Sequence, residues 1–242
     1  MTNHISFDLW LTLIKSNPEA KLQKYKFLQQ YLEKKFNLYY SSWTIQNAFR
    51  QVDIASTYAA EVTGKHIDFE TMLLHVLSAL GVFNVQGYNP YEELPKEEIT
   101  NLKSDFNNIF LEYSPILYDD NTWDVLADLT EAGYSMNILS NTGFIEGKVL
   151  EVVLDKLNIK QFFKNRLYSD VFGIAKPNIH FFNKIEELYG IGRKYILHVG
   201  DNPNADYNGA IKAGMSAMII NSTGLSIIDL YDYLKKTNKW NI

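Results

Sequence analysis

The chain opens on an apolar run, Ile5-Ser6-Phe7-Asp8-Leu9-Trp10-Leu11-Thr12-Leu13-Ile14, bounded by Asn3 and Lys15. A short apolar run between polar residues predicts a buried strand at residues 4–9 leading into a turn. From Glu19 to Phe36 the period changes to a helical one, with Leu22, Tyr25, Phe27, Leu28, Tyr31 and Leu32 as apolar positions. Ser41 or Ser42 is placed to cap a second helix reaching about Glu61. Asp68 precedes a third, which closes at Gly81, and Pro95 opens a fourth that runs to Tyr113. Residues 16–114 therefore read as helix after helix with no strand.

The pattern turns over at Pro115. A helix over 121–133 is followed by a strand over 134–140 and a helix over 146–158. A short strand over 166–172 and a helix over 178–190 come next, then a strand over 194–201 and a helix over 204–214. A strand over 215–221 and a last helix over 225–237 complete the alternation. Strand and helix in turn, with short links, signal a parallel sheet with helices on both faces. The first strand most simply joins that sheet. The fold expected is α/β, a Rossmann-like doubly wound parallel core (1–15 and 115–242) with an inserted α-helical cap (16–114).

Composition narrows the function. Hydrophobic residues make up 46% and charged residues 21%, a globular balance that excludes disorder. Lys and Arg number 23 against 28 Asp and Glu, so the chain lacks the basic footprint of a nucleic-acid binder. No cysteine is present, which excludes disulfides, thiolate metal sites and a cysteine nucleophile. No targeting segment or run of 18 apolar residues is visible, so a soluble cytoplasmic protein without a membrane partner is expected.

Four stretches fall at strand ends or in the links after them: FDLWLT (Asp8 to Thr12), LSNTG (Ser140 to Gly143), GIAKPN (Lys176) and VGDNPNAD (Asp201, Asp206). Ligands of open α/β sheets bind beyond the carboxyl ends of the strands. With the first strand central, Asp8 and Asp201 fall on neighbouring strands. Paired carboxylates suit a hard cation such as Mg²⁺. A hydroxyl and free N–H groups at Ser140 to Gly143 suit an anion, with Lys176 as a compact positive charge beside it. Together these describe phosphoryl transfer.

In this order the four stretches resemble the motifs of the haloacid dehalogenase-like (HAD) hydrolase superfamily, in the branch with a helical cap after the first motif. The resemblance implies a Mg²⁺-dependent hydrolase of a small phosphorylated metabolite. Asp8 would be the nucleophile, forming an aspartyl phosphate. Asp8, Asp201 and the backbone carbonyl of Trp10 would hold the metal. Thr12 would shape the first loop and help bind the phosphate. Ser140 and the Asn141 N–H would bind phosphoryl oxygens, Lys176 would offset their charge, and Asp206 would orient the metal shell or Lys176.

One position departs. The family's phosphatases carry a second Asp two residues after the nucleophile, a general acid worth about 10²–10⁴-fold. This chain has Trp10 there, and Leu11 replaces the usual small Gly. Good leaving groups are therefore expected to outrun alcohol phosphates. Trp10 also keeps two alternatives open: a 2-haloacid dehalogenase, whose family members carry an aromatic Tyr there, and a catalytically impaired binding or regulatory protein. Arg50 reads first as a solvated helix face, the five histidines as structural, and the Tyr and Phe of the helical block as a core. Substrate and oligomeric state are not legible in the sequence.

Overall fold

A computed structural model describes residues 4–82 and 94–238; residues 83–93 of the expected helical block and the two chain ends lie outside it. Five parallel strands form the central sheet: β1 (His4–Phe7), β4 (Ser135–Ser140), β5 (Asn165–Tyr168), β6 (Ile196–Gly200) and β7 (Ser216–Ile219). Their order is β5-β4-β1-β6-β7, with Phe7 paired to Ile138 on one side and Val199 on the other. β1 is central and wholly buried, which is why it reads as a continuous apolar run. Its two polar residues are satisfied across the strands. His4 bonds the Asn137 amide oxygen at 2.7 Å, and the Ser6 hydroxyl meets His198 at 3.1 Å.

The chain winds from β1 out to β4 and β5, then crosses to β6 on the other flank of β1. That reversal opens a crevice at the carboxyl ends of β1 and β6. One face of the sheet packs Phe7, Ile138 and Leu150, and the other packs Leu139, Phe181 and Phe182. Helices cover both faces, so the fold is the α/β three-layer arrangement expected.

Among the described residues four helices stand between β1 and Pro115: Pro18–Phe36, Ser42–Thr63, Phe69–Ala79 and Lys96–Glu112. Asn17, Ser41 and Asp68 cap the first three, accepting from Glu19, Thr44 and Thr71 N–H respectively. The helices bury their own core, including Leu28, Leu32, Phe49, Leu73, Leu77 and Phe106. Where the chain leaves and re-enters the sheet region, β2 (Ile14–Lys15) and β3 (Ile116–Leu117) pair antiparallel. This small ribbon was not anticipated.

Two expectations need correction. The strand expected over 166–172 stops at Tyr168, and Ser169–Phe172 is a turn of helix closed by Gly173 at φ 68°. Ser169 and Asp170 turn back there to bond Thr142 and the Gly147 N–H. The helix expected over 204–214 begins as a π-helical turn, Pro203–Asn208, and is α-helical only over Gly209–Lys212. Such turns are frequent at functional sites, and this one carries Asp206. Among the described residues no helix is long and apolar enough to cross a membrane.

Candidate active site

Asp8 directly follows β1 and extends its ladder by one bond, Asp8 N–H to the Val199 carbonyl at 2.8 Å. Its side chain is buried. Oδ1 takes the Lys176 ammonium at 2.6 Å, and Oδ2 accepts the Thr12 hydroxyl at 3.1 Å. Lys176 also reaches Asp206 Oδ1 at 2.6 Å. Asn141 locks the lysine backbone from both sides, accepting its N–H at 2.7 Å and donating to its carbonyl at 3.0 Å. Asp206 is held by His198 at 3.1 Å and by the Asn202 N–H at 2.9 Å. The carboxylate lies so close to β6 that a Cβ at Gly200 would sit 2.2 Å from Asp206 Cγ, so only glycine fits there.

The charges press on one another. Burial, then Asp206 and Asp201, pushes Asp8 up to about 7 while Lys176 pulls the other way. Burial and Asp206 push the half-buried Asp201 up to about 6. Asp206 lies below the usual carboxylate range because Lys176 and His198 outweigh its burial. Burial is outweighed in Lys176 as well, by Asp206 and Asp8, and its ammonium is raised.

Oxygens of Asp8, Asp201 and Asp206 lie within 4.8 Å of one another, three carboxylates against one ammonium. An all-oxygen, net-negative donor set fits a hard divalent cation. Both oxygens of Asp8 and of Asp206 already have hydrogen-bond partners, and Asp201 is the most exposed carboxylate of the three. The backbone bonds that close the first loop use the carbonyls of Leu9 and Ile14 and not that of Trp10.

That loop is unusual at two residues. Leu11 is exposed and sits at φ 57°, a left-handed conformation that favours glycine. Asn221 clasps the loop, donating to the carbonyls of Leu11 at 2.8 Å and Thr12 at 3.0 Å. Trp10 is half-buried, its ring 5.9 Å from that of Phe110 on the fourth helix of the block.

A cavity of about 650 Å³ opens over these groups. Asp8, Trp10, Asn141, Lys176, Asp201 and Asp206 form its floor, while Lys21, Lys24, Phe49, Arg50, Asp53 and Glu61 line it from the helical block. Arg50, read from the sequence as a solvated helix face, is both exposed and on this wall. Two candidates are not brought to the cavity: Thr12, buried against Asp8, and Ser140. The Ser140 hydroxyl is fully buried, 3.3 Å from the Asn141 carbonyl, and the Asn141–Thr142–Gly143 turn lines the cavity instead.

Sequence reasoning missed several groups. His198, treated as merely structural, holds Asp206; its place two residues before Gly200 on a buried strand was the available signal. Asn202 follows Asp201 directly and was readable as a turn residue. Asn221, Lys24 and Glu61 carried no local signal. Glu61 accepts from Asn202 and Asn204, both at 2.8 Å, tying the second helix to the loop that bears Asp201. Nearby, the Gly64 carbonyl accepts the Ala175 N–H at 3.0 Å, next to Lys176.

The family model for haloacid dehalogenase-like hydrolases matches residues 2–214, and the chain belongs to that family. It is therefore a hydrolase. A glyceraldehyde 3-phosphate phosphatase of Methanothermobacter thermautotrophicus is 37% identical over 102 residues, 42% of this chain and 44% of that protein. The match thus spans less than half of that relative's length. A Pyrococcus furiosus protein of the same name is 27% identical over 178 residues, 66% of this chain and 72% of that one. Among solved structures, the Bacillus subtilis HAD-hydrolase YfnB, bound to magnesium, superposes with a TM-score of 0.68 at 17% identity, covering 98% of this chain and 100% of that one. At that identity the likeness speaks for the fold.

Proposed function

We propose that this hydrolase is a Mg²⁺-dependent phosphatase acting on a small phosphorylated metabolite in the cytoplasm, with residues 16–114 as a cap over the core of 1–15 and 115–242. The observation that carries the reading is the Asp8–Lys176–Asp206 chain of contacts, with Asp201 beside it on the cavity floor. The phosphatase names of the relatives support it.

In this reading a carboxylate oxygen of Asp8 attacks phosphorus, and the bond from phosphorus to the leaving oxygen breaks. Lys176 fixes the attacking carboxylate and offsets charge as the phosphoryl group transfers. Asp206 keeps that lysine charged and aimed. Asp8, Asp201 and the Trp10 carbonyl would hold Mg²⁺, which supplies further charge neutralisation when bound. Asn141 and the turn after it, with Ser140 behind, would receive the phosphoryl oxygens. Water then releases phosphate from Asp8.

Trp10 offers no proton to the departing oxygen, so leaving groups that need none should be favoured. The test is a panel of aryl, acyl and alkyl phosphates with Mg²⁺ and with EDTA. The expected result is metal-dependent turnover, aryl and acyl above alkyl, absent in Asp8→Asn. Fast sugar-phosphate hydrolysis would overturn the leaving-group ranking. Turnover of 2-haloacids in EDTA would favour the dehalogenase alternative raised by Trp10.

A further inference from the structure

Lys24 stands on the cavity wall with its charge unmatched. It lies on the helix Pro18–Phe36, and its ammonium sits 4.1 Å from the ring centre of Phe49, 5.1 Å from Phe144 and 5.4 Å from Tyr25. Phe49 comes from the second helix of the block. Phe144 comes from the sheet region, one residue past the Asn141–Gly143 turn. The three rings hold the ammonium by cation–π attraction but accept none of its N–H bonds in the ordinary sense. Among the described residues Lys24 makes no ion pair and no hydrogen bond. Burial draws its pKa down to about 8, with Asp53 opposing from beyond ion-pair distance. Lys21 and Arg50 add positive charge to the same wall. Of the two acids there, Glu61 is already committed to Asn202 and Asn204.

We propose that Lys24 recognises a second oxyanion on the substrate, so that among alkyl phosphates the preferred substrates are monoesters of small hydroxy acids, with the carboxylate on Lys24. The inference deepens the phosphatase reading and rests on it for the phosphate end. A substrate carboxylate at this wall gives an ammonium seated on three aromatic rings the hydrogen-bond acceptor it lacks. A neutral alcohol tail leaves its charge unmatched. The bland alternative is that the lysine stem merely packs and its head finds water.

The experiment compares phosphoglycolate with 2-hydroxyethyl phosphate, and each pair of longer homologues up to four carbons, on the wild type and on Lys24→Met and Lys24→Gln. The readout is the acid-to-alcohol ratio of kcat/KM in Mg²⁺. Wild type should favour the acid by about tenfold to a hundredfold, the worth of a charge-assisted bond. Both variants should bring that ratio close to one. A wild-type ratio near one overturns the proposal. So does an unchanged ratio in the variants, since a packing role lowers acid and alcohol alike. If the wild type hydrolyses none of these alkyl esters and no aryl phosphate either, the phosphatase reading fails by itself. Wherever the alkyl esters do not turn over, calorimetric titration of the same pairs decides Lys24: acid-selective binding lost in both variants sustains the proposal, and equal binding overturns it.

Discussion

The floor and the wall of the cavity treat positive charge in opposite ways. On the floor, in the sheet region, Lys176 is almost fully buried and touches two carboxylates at 2.6 Å each. On the wall, in the helical block, Lys24 rests on aromatic rings with no carboxylate in contact. The floor is set by backbone: Asp8 by the β1–β6 ladder, Lys176 by Asn141, Asp206 by the π-helical turn. Its geometry is held by the chain's own contacts, which is what transition-state stabilisation requires. The wall is set by helix packing and keeps its charge uncommitted, which is what selection among ligands requires. The difference separates chemistry from choice.

The largest effect that tests this contrast is one substitution made in both places. Lys176→Met leaves Asp8 and Asp206 facing each other in a buried site. It should cost about 3–5 kcal/mol of stability by urea denaturation, along with turnover. Lys24→Met replaces an unpaired ammonium by an apolar group on the same rings, and its stability should stay within about 1 kcal/mol of the wild type. The pH dependence has a definite sign. The Lys24 pKa is lowered from 10.5 to about 8 in the folded chain, so the unfolded chain binds more protons between those values. Wild type should therefore gain stability relative to Lys24→Met as pH rises through that window. Equal losses for the two methionine variants would erase the contrast.

The same contrast marks how far the sequence could be read. β1, β4 and β6 were legible because a buried parallel strand is a compact apolar run. Asp8, Lys176, Asp201 and Asp206 were legible because each stands in a short motif at a strand end. Ser41 and Asp68 were legible as caps, since capping is decided within three residues. The end of β5 was not. Val171 and Phe172 continue an apolar pattern, yet both are exposed, and the chain turns because Ser169 and Asp170 bond Thr142 and Gly147 across 23 to 28 residues. Asp206 was legible as an acid but not as the centre of a π-helical turn. The wall was least legible of all. Helical period places Lys24 and Glu61 on helices, but which face closes a cavity depends on how four helices rotate against a distant sheet.

In the proposed phosphatase reading Trp10 stands where a general acid would serve, and supplying one is the next largest test. Trp10→Asp restores a titratable carboxyl two residues after Asp8. On 2-hydroxyethyl phosphate, kcat should rise by about tenfold to a hundredfold, near the lower end of what general acid catalysis supplies. Phenyl phosphate, whose leaving oxygen needs little protonation, should change far less. The substitution also gives up the contact with Phe110, an aromatic pair worth about 0.5–1.5 kcal/mol. A parallel rise on both substrates would point to a wider cavity and not to an acid.

The smallest effect falls where floor and wall meet. Glu61 belongs to the wall by position but is committed like a floor residue, holding Asn202 and Asn204 beside Asp201. If it is an anchor, Glu61→Ala should cost about 1 kcal/mol, the net worth of hydrogen bonds at a half-buried carboxylate. For a chain of this length that lowers Tm by about 2–4 °C. The acid-to-alcohol ratio should then stay where Lys24 sets it. If Glu61 instead shares in selection, removing a negative charge from the wall should raise that ratio while Tm holds. The two readouts are independent, so a single variant assigns the residue to the part of the cavity it serves.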